Sequence, residues 1–459
     1  MEGVMFGDVS HLLASNPPRR HAGVAVADVD GDQRFEFLVA GMDCPNRVLK
    51  WTGGRLLDVA PPAIAETGRR ARGIAAGDVD GDGREELFVM NGEGSQLKPR
   101  SDRLLKARLD GTWEDLFARP ENRHLTHAGA GRSVAAVDRR GVGRYGFFLA
   151  QEDAPTRFYE MGQAGAIADL SPALGLEITA RARGVLAQPI LSDHTDIVCL
   201  NENGPNAVFR NRGDGAFEEC AAELGLADVS EQGQAITAID AQTGSGLDLC
   251  WGNVDGPHRL MRNLSGAWRD RATPALAFPS AVETLVAADF DNDGNDELFF
   301  NNRGEANRLF RLGGGEVEML DVGAASDADG FGTGAAVCDI DGDGVLELLI
   351  ARCGEVAQPL GLFKLRSTGA NQWMRVRPLT RHGAPARGAS VLLEAAGRVR
   401  TKGICGGSGY RCQMEPVAHF GLGAGESPGR VQVTWPDGAS VVLLNPRANR
   451  TITVPYPRG

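Results

Sequence analysis

Four nine-residue stretches place carboxylates at positions 1, 3, 5 and 9: Asp28, Asp30, Asp32 and Glu36; Asp78, Asp80, Asp82 and Glu86; Asp289, Asp291, Asp293 and Glu297; Asp339, Asp341, Asp343 and Glu347. Around a tight turn, side chains 1, 3 and 5 converge, Glu at 9 adds up to two oxygens, and position 7 contributes a backbone carbonyl. That position is Arg34, Arg84, Asn295 or Val345. Such a set surrounds a hard cation with oxygen. Calcium takes six to eight oxygen ligands in irregular geometry, whereas magnesium demands an octahedron and keeps its waters. The stretches therefore predict about four Ca2+ ions, one per loop. Asp-x-Asp-Gly is also a good turn sequence with incidental acids, but four copies with four acids each favour the metal.

Aligning the first loop positions gives Asp28, Asp78, Asp138, Gln188, Asp240, Asp289 and Asp339, separated by 50, 60, 50, 52, 49 and 50 residues. A period near 50 residues means an array of supersecondary units. Short apolar runs flank each loop, such as Gly23–Ala27 before it and Phe35–Val39 after it. They are too short for helices and bounded by Gly and Asp, so they read as strands. Two more strands follow in each unit, as in Asn46–Trp51 and Arg55–Val59. Seven units of four strands predict an all-β, seven-bladed propeller over residues 1–367. Met5–Val9 reads as a stray fourth strand that completes the last blade and closes the ring.

Three loops are degenerate. They hold Asp138, Arg140, Val142 and Gly146; Gln188, Ile190, Ser192 and Asp196; and Asp240, Gln242, Gly244 and Asp248. None of these sets holds calcium tightly. The intact loops belong to units six, seven, one and two, which become neighbours once the ring closes.

Beyond residue 367 the period breaks. Trp373–Arg377, Ala389–Leu393 and Val431–Trp435 alternate like strands, and His382–Pro385 and Pro436–Gly438 are turns, so residues 368–459 predict a small β-sandwich. The blades resemble FG-GAP/VCBS repeats of the kind found in integrin α-subunit propellers. The C-terminal region resembles the ASPIC/UnbV domain through Asn371-Gln-Trp373, Gly388-Ala-Ser-Val391, Gly409-Tyr410, His419-Phe-Gly-Leu-Gly423 and Thr434-Trp-Pro-Asp-Gly438. Both together, in this order, are similar to the cartilage acidic protein family. Members of that family are commonly exported. The resemblance implies integrin-like calcium loops.

The segments entering each first strand lie on the face opposite the loops, and they are polar. Bases gather in units one to four (Arg19, Arg20 and His21; Arg69, Arg70 and Arg72; Arg123, His124 and His127; Arg132; Arg181 and Arg183). Acids gather in units five to seven (Glu231, Glu283, Asp327 and Asp329). One reading is a solvated rim of charge pairs. The other is a pocket for an anionic or zwitterionic ligand, with His21, His124 and His127 as acid–base groups. His419 and Trp435 read as packing residues of the small domain.

The formal charge is −12, and four divalent ions would bring it to −4, so the acidity reflects metal sites; no basic face suggests nucleic acid. No apolar run is long enough to span a bilayer. The first residues lack the charged and apolar regions of a secretory signal, so the expectation is a cytoplasmic monomer, the alternative being an exported protein whose signal was removed. Of the eight cysteines, Cys338 fills a small buried slot, and Cys405 and Cys412 are close enough in sequence for a local disulfide in an exported protein. Function then divides two ways. The first is a calcium-stabilised binding module for a small-molecule or protein ligand. The second is a calcium-dependent enzyme of the cyclase or isomerase type, with His21, Arg72, His124 and His127 as candidate catalytic residues.

Overall fold

The computed structural model describes residues 6–66, 68–92, 101–125, 131–241, 246–264, 266–314 and 316–457. Among these residues, seven four-stranded antiparallel sheets follow one another along the chain. Blade one, for example, runs His21–Ala27, Glu36–Gly41, Arg47–Thr52 and Arg55–Asp58 from the inside out. The other innermost strands are Ala71–Gly77, Gly131–Val137, Thr179–Gln188, Gly233–Ile239, Val282–Ala288 and Gly332–Cys338. Each packs beside the next, and the last packs beside the first, which closes the ring. Blades three and four are also joined directly, where Glu152 and Ala154 pair with Arg181 and Ala180.

The N-terminal strand Phe6–Asp8 pairs with Gly361–Leu365 and supplies the outer strand of blade seven, as its sequence predicts. Burial pins it there. The Phe6 ring is fully buried, with its centroid 5.0 Å from that of Phe290 and 6.2 Å from that of Phe299. An aromatic anchor of this kind ties the ends of the ring without a covalent bond.

The C-terminal region forms two sheets that share one core. Gln372–Pro378, Ala418–Gly423 and Thr451–Val454 make the first, and Ser390–Ala395, Arg398–Gly403, Pro428–Thr434 and Ser440–Leu444 make the second. Met374, Val391, Phe420, Val431 and Trp435 are buried between them. Trp435 is therefore a packing residue, with its indole N–H donating to the Leu379 carbonyl at 2.9 Å.

This sandwich does not stand apart from the ring. Between Gly403 and Ala418 the chain leaves it and enters the central channel, where it bonds to every blade. The Val26, Ala136 and Ala187 amides donate to the carbonyls of Gln413, Gly406 and Gly407 at 3.0, 2.8 and 3.0 Å. Gly409 and Ile236 exchange amide–carbonyl bonds, and the Tyr410 amide donates to Thr284 Oγ1 at 3.0 Å. The Gln413 side chain bonds both backbone groups of Ala76, and the Ala335 amide reaches Cys412 Sγ at 3.3 Å. The fit leaves no room for a side chain at some positions. A Cβ on Gly23 would lie 2.1 Å from the Arg411 carbonyl oxygen, and one on Gly406 would lie 2.2 Å from that of Ala136.

All eight cysteines are free. Cys405 and Cys412 both sit in the inserted segment. The Cys405 thiol lies 3.3 Å from Ser408 Oγ, and the Cys412 thiol lies 3.2 Å from the Tyr410 carbonyl. The local disulfide considered from their spacing is absent, because each thiol is engaged elsewhere in the channel.

Arg387 fastens the insertion. Fully buried, it donates to Glu85 Oε1 at 2.6 Å and to the carbonyls of Val26, Cys405 and Met414. Removing one partner of a buried pair leaves an uncompensated charge that costs about 3–5 kcal/mol. Arg387→Ala should therefore lower the unfolding free energy by that order in urea denaturation, whereas a loss under about 1 kcal/mol would show that the insertion is loosely held.

Candidate metal centre

Each acidic loop joins the first and second strands of its blade, and its carboxylates shape the turn before any ion is considered. Position 1 caps the turn: Asp28 accepts from the Gly31 and Gln33 amides at 2.7 and 2.8 Å, and Asp78 from Gly81 and Gly83 at 2.7 and 2.9 Å. Position 5 accepts from the amide of position 7, so Asp32, Asp82, Asp293 and Asp343 hold Arg34, Arg84, Asn295 and Val345 at 2.7–3.0 Å. The closing Glu36, Glu86, Glu297 and Glu347 accept from the amide of position 2 at 2.8–3.0 Å. Left-handed backbone at position 4 explains the Gly or Asn there, with Gly31 at φ 79° and Asn292 at φ 59°.

A basic residue on the third strand faces every intact loop. Lys50 bonds Asp30 and Asp32 and lies 3.3 Å from Glu36; Lys106 meets Asp80, Asp82 and Glu86 at 2.5–2.9 Å. Arg311 contacts Asp291, Asp293 and Glu297, and Lys364 contacts Asp341, Asp343 and Glu347. One base against four acids leaves each loop strongly negative.

The residues fit calcium on three observations. Oxygens of Asp28, Asp30 and Asp32, of Asp78, Asp80 and Glu86, of Asp289, Asp291 and Glu297, and of Asp339, Asp341 and Glu347 lie within 4.8 Å of one another. Oxygens bound to one calcium are separated by at most about 5 Å. One buried oxygen in each of three loops accepts no hydrogen bond, Asp80 Oδ1, Asp289 Oδ1 and Asp339 Oδ1, and in loop one Glu36 Oε1 has only Lys50 Nζ, at 3.3 Å. Burial also pushes the acids upward, Asp78 to about 6, Glu36 to about 7, and Glu86 and Glu347 to about 8. Asp28, Asp291 and Asp339 are raised for the same first reason, and Asp289 and Glu297 are driven well above the carboxylate range. A divalent cation removes that penalty. Solvent reaches loop one through clefts of about 350 and 480 Å³ shared with Arg377.

The C-terminal sandwich docks on this same face. Arg375 donates to Asp339 Oδ2 at 2.5 Å and pairs with Glu415, both partners being buried. The Gly421 amide donates to Asp289 Oδ2 at 2.9 Å, and Asn371 Nδ2 donates to the Asp291 carbonyl at 2.9 Å. Arg377 reaches Gln33 in loop one. His419 joins the two parts as well: its Nε2 lies 2.7 Å from Asn292 Oδ1 in loop six, so it serves the contact between propeller and sandwich rather than packing within the sandwich.

Loops three and four keep their turns, and all three degenerate loops lose the ligand set in sequence. Asp138 caps the Val142 and Gly143 amides at 3.1 and 2.6 Å, and Asp196 takes the Ile190, Leu191 and Asn211 amides. Asp240 accepts from Thr401 of the sandwich at 2.6 Å; Gln242 and Gly244 lie outside the described residues. Blade three inverts the polarity of the intact blades. Glu160 stands on its third strand and pairs at 2.6 Å with Arg139 from the loop, while Arg140 is exposed.

On the opposite face the two charged crescents are neutralised locally. Glu152 holds Arg132 and Arg181, and Glu202 holds Arg181 and Arg183. Glu231 meets Arg259, Glu283 meets Arg303, and Asp327 meets Arg352. His124 is exposed on a short 3₁₀ turn, Pro120–Leu125, and His127 lies outside the described residues. His21 is fully buried, both ring nitrogens lack hydrogen bonds, and burial followed by Arg47 and Arg19 pushes its pKa down to about 4. Such a ring is neutral near pH 7 and closed to solvent, which removes it from the channel mouth. Arg72 stays there, partly exposed, with its Nη1 unpartnered among the described residues.

Fold and loops together define the class: an FG-GAP-type β-propeller with acidic loops, carrying an ASPIC/UnbV domain. The family description "FG-GAP-like repeat" matches residues 28–89 and 289–350, the two pairs of intact loops, and "ASPIC and UnbV" matches residues 379–459. Cartilage acidic protein 1 of Xenopus tropicalis is 41% identical over 96% of this chain and 75% of its own length, and that of Homo sapiens 41% over 97% and 73%. The chain belongs to the cartilage acidic protein 1 family. Among solved structures, BBS1N, crystallised in complex with ARL6DN, superposes with a TM-score of 0.50 at 12% identity, over 80% of this chain and 99% of that one; the likeness is one of fold.

The buried histidines carry a pH prediction. His21 and His258 are both held at about 4 by burial, against about 6.5 when unfolded. The unfolded chain takes up these protons first, so stability is fully present above pH 6.5 and is lost as pH falls toward 4. The loss is capped at about 3 kcal/mol for each ring. Urea unfolding of His21→Leu at pH 7 and pH 5 should show a shallower acid loss than the parent; an unchanged slope would refute the assignment.

Proposed function

We propose that this protein is a calcium-braced interaction module, in which calcium is structural and recognition falls on the face away from the metal loops or on the C-terminal domain. The observation that carries the reading is the convergence, in each of four loops, of three carboxylates whose oxygens lie within 4.8 Å of one another. Asp78, Asp80, Asp82 and Glu86 would hold one ion, the corresponding acids of the other three loops would hold theirs, and the ion would supply charge neutralisation. The chain's own part is to lock the turn through positions 1, 5 and 9, and to seat the sandwich on loops six and seven through Gly421 and Arg375. The catalytic alternative, a cyclase or isomerase at the channel mouth, draws no support from His21, and among the described residues no contact joins Arg72 to His124. Among the described residues no helix is long and apolar enough to cross a membrane.

Chelation tests the reading. A ligand present at 100 times its Kd stabilises by about 2.7 kcal/mol per site, so calcium removal should lower Tm by more than about 5 °C. Unchanged melting would overturn the structural role. Asp80→Asn should lower Tm in calcium and have no such effect in the chelated protein, where it removes one repelling charge. An equal loss in both states would show that Asp80 acts through the fold alone.

A further inference from the structure

We infer that the channel mouth opposite the metal loops holds an oxyanion site, formed by Arg132 and Arg411 around the hydroxyl of Tyr410 with Arg72 at the same mouth, for the carboxylate or phosphate group of a small ligand. This gives a chemistry to the recognition face of the module proposed above, and rests on that reading only for the role of the face.

Tyr410 and Arg411 form the tip of the inserted segment. The backbone there is strained: Arg411 adopts φ 67°, the left-handed region that disfavours a side chain. Hydrogen bonds donated to blades six and three hold it, with the Tyr410 amide on Thr284 Oγ1 and the Arg411 amide on Ser133 Oγ at 2.9 Å. The consequence is that Arg411 folds back over its neighbour. Its guanidinium carbon lies 4.1 Å from the Tyr410 ring centroid, and Nη2 donates to the Tyr410 hydroxyl at 2.5 Å. Arg132 approaches the same oxygen at 3.5 Å, and Arg183 stands 5.9 Å from the ring centroid.

Three facts point to a missing anion. The phenolic oxygen accepts from two guanidinium groups, and no described residue accepts its proton. Arg72 and Arg411 form no ion pair with a carboxylate among the described residues; Glu152, whose charge also acts on Arg72, and Glu202 are held by Arg132, Arg181 and Arg183. Arg72 Nη1 and Arg411 Nε are buried atoms without hydrogen bonds, although both residues remain partly exposed to the mouth. The electrostatics agree. Burial raises the Tyr410 pKa, yet Arg411, Arg132 and Arg183 outweigh it and hold the phenol below its ordinary value against Glu283; burial, then Arg411 and Arg132, lower that of Arg72. Every free group is an N–H or O–H donor, so a metal is excluded by donor type and an oxyanion is matched. Guanidinium forks pair bidentately with carboxylate and phosphate.

The test is isothermal titration of the calcium-loaded protein, freed of unbound calcium, with inorganic phosphate and with succinate at low ionic strength. One equivalent of either anion should bind, and the anion that binds names the class. Arg72→Gln and Tyr410→Phe should each weaken binding by about tenfold or more, with Tm unchanged, while Arg447→Gln on the exposed sandwich surface should not. Ultraviolet titration gives a second readout: the lowest tyrosinate step should vanish in Tyr410→Phe and move to higher pH when the anion is added. Failure of both anions to bind, equal binding by Arg72→Gln, or a tyrosinate step indifferent to the anion would overturn the proposal. Chelation melting is independent of these outcomes, so a failed anion site and a failed calcium brace remain distinguishable.

Discussion

The constraint on which the rest depends is the hydrogen-bonding demand of seven inner strand edges. A propeller turns the free edge of each innermost strand toward its axis, and a buried backbone amide without a partner carries a cost comparable to a lost hydrogen bond. Here the axis is filled by residues 404–417, which offer carbonyls, amides, a glutamine amide and a thiol to edges in all seven blades. The insertion has to be narrow, which accounts for its glycines at 406, 407 and 409 and for Gly23 opposite Arg411. Once the channel is filled, an open pore ceases to be a functional element. What remains at the far mouth is the tip of the plug and the arginines around it.

The same insertion couples two charge problems. On one face, sixteen acids crowd four loops, and the sandwich that sends the plug inward also rests on those loops through Arg375, Gly421 and His419. On the other face, the tip adds Arg411 to a rim already rich in guanidinium groups. Negative charge is thus concentrated where the domain docks and positive charge where the segment emerges. The asymmetry of the ring fits this arrangement. Blades three and four keep their turns through one capping aspartate each, blade five gives its Asp240 to Thr401 of the sandwich, and blade three carries the Arg139–Glu160 pair where the intact blades set a base against acids.

Much of the architecture is legible in the sequence because it repeats. A period near 50 residues and Asp-x-Asp-Gly turns locate the first two strands of each blade, and the orphan strand near Phe6 forecasts closure. What escapes is whatever does not repeat. Ile404–Val417 has neither strand nor helix periodicity, and its partners are scattered from Val24 to Ala335, so only tertiary structure reveals it. The third-strand bases are present in the sequence but out of register: Lys50 and Arg311 stand 22 residues after the first position of their loops, Lys364 25 and Lys106 28, because the intervening connections differ in length. His21 sits in a basic, polar run, yet the first strand carries it inward, and burial overrides the composition of its neighbours.

The central claim is that the inserted segment satisfies the inner edges and joins sandwich and propeller into one unit. Hydrogen exchange of the Val26, Ala76, Ala136, Ala187 and Ile236 amides tests it most directly, since each donates to the segment. These five should exchange only through global unfolding, as slowly as the amides of the second strands. Exchange orders of magnitude faster, typical of an edge open to water, would mean that the channel is not filled in solution and would contradict the account.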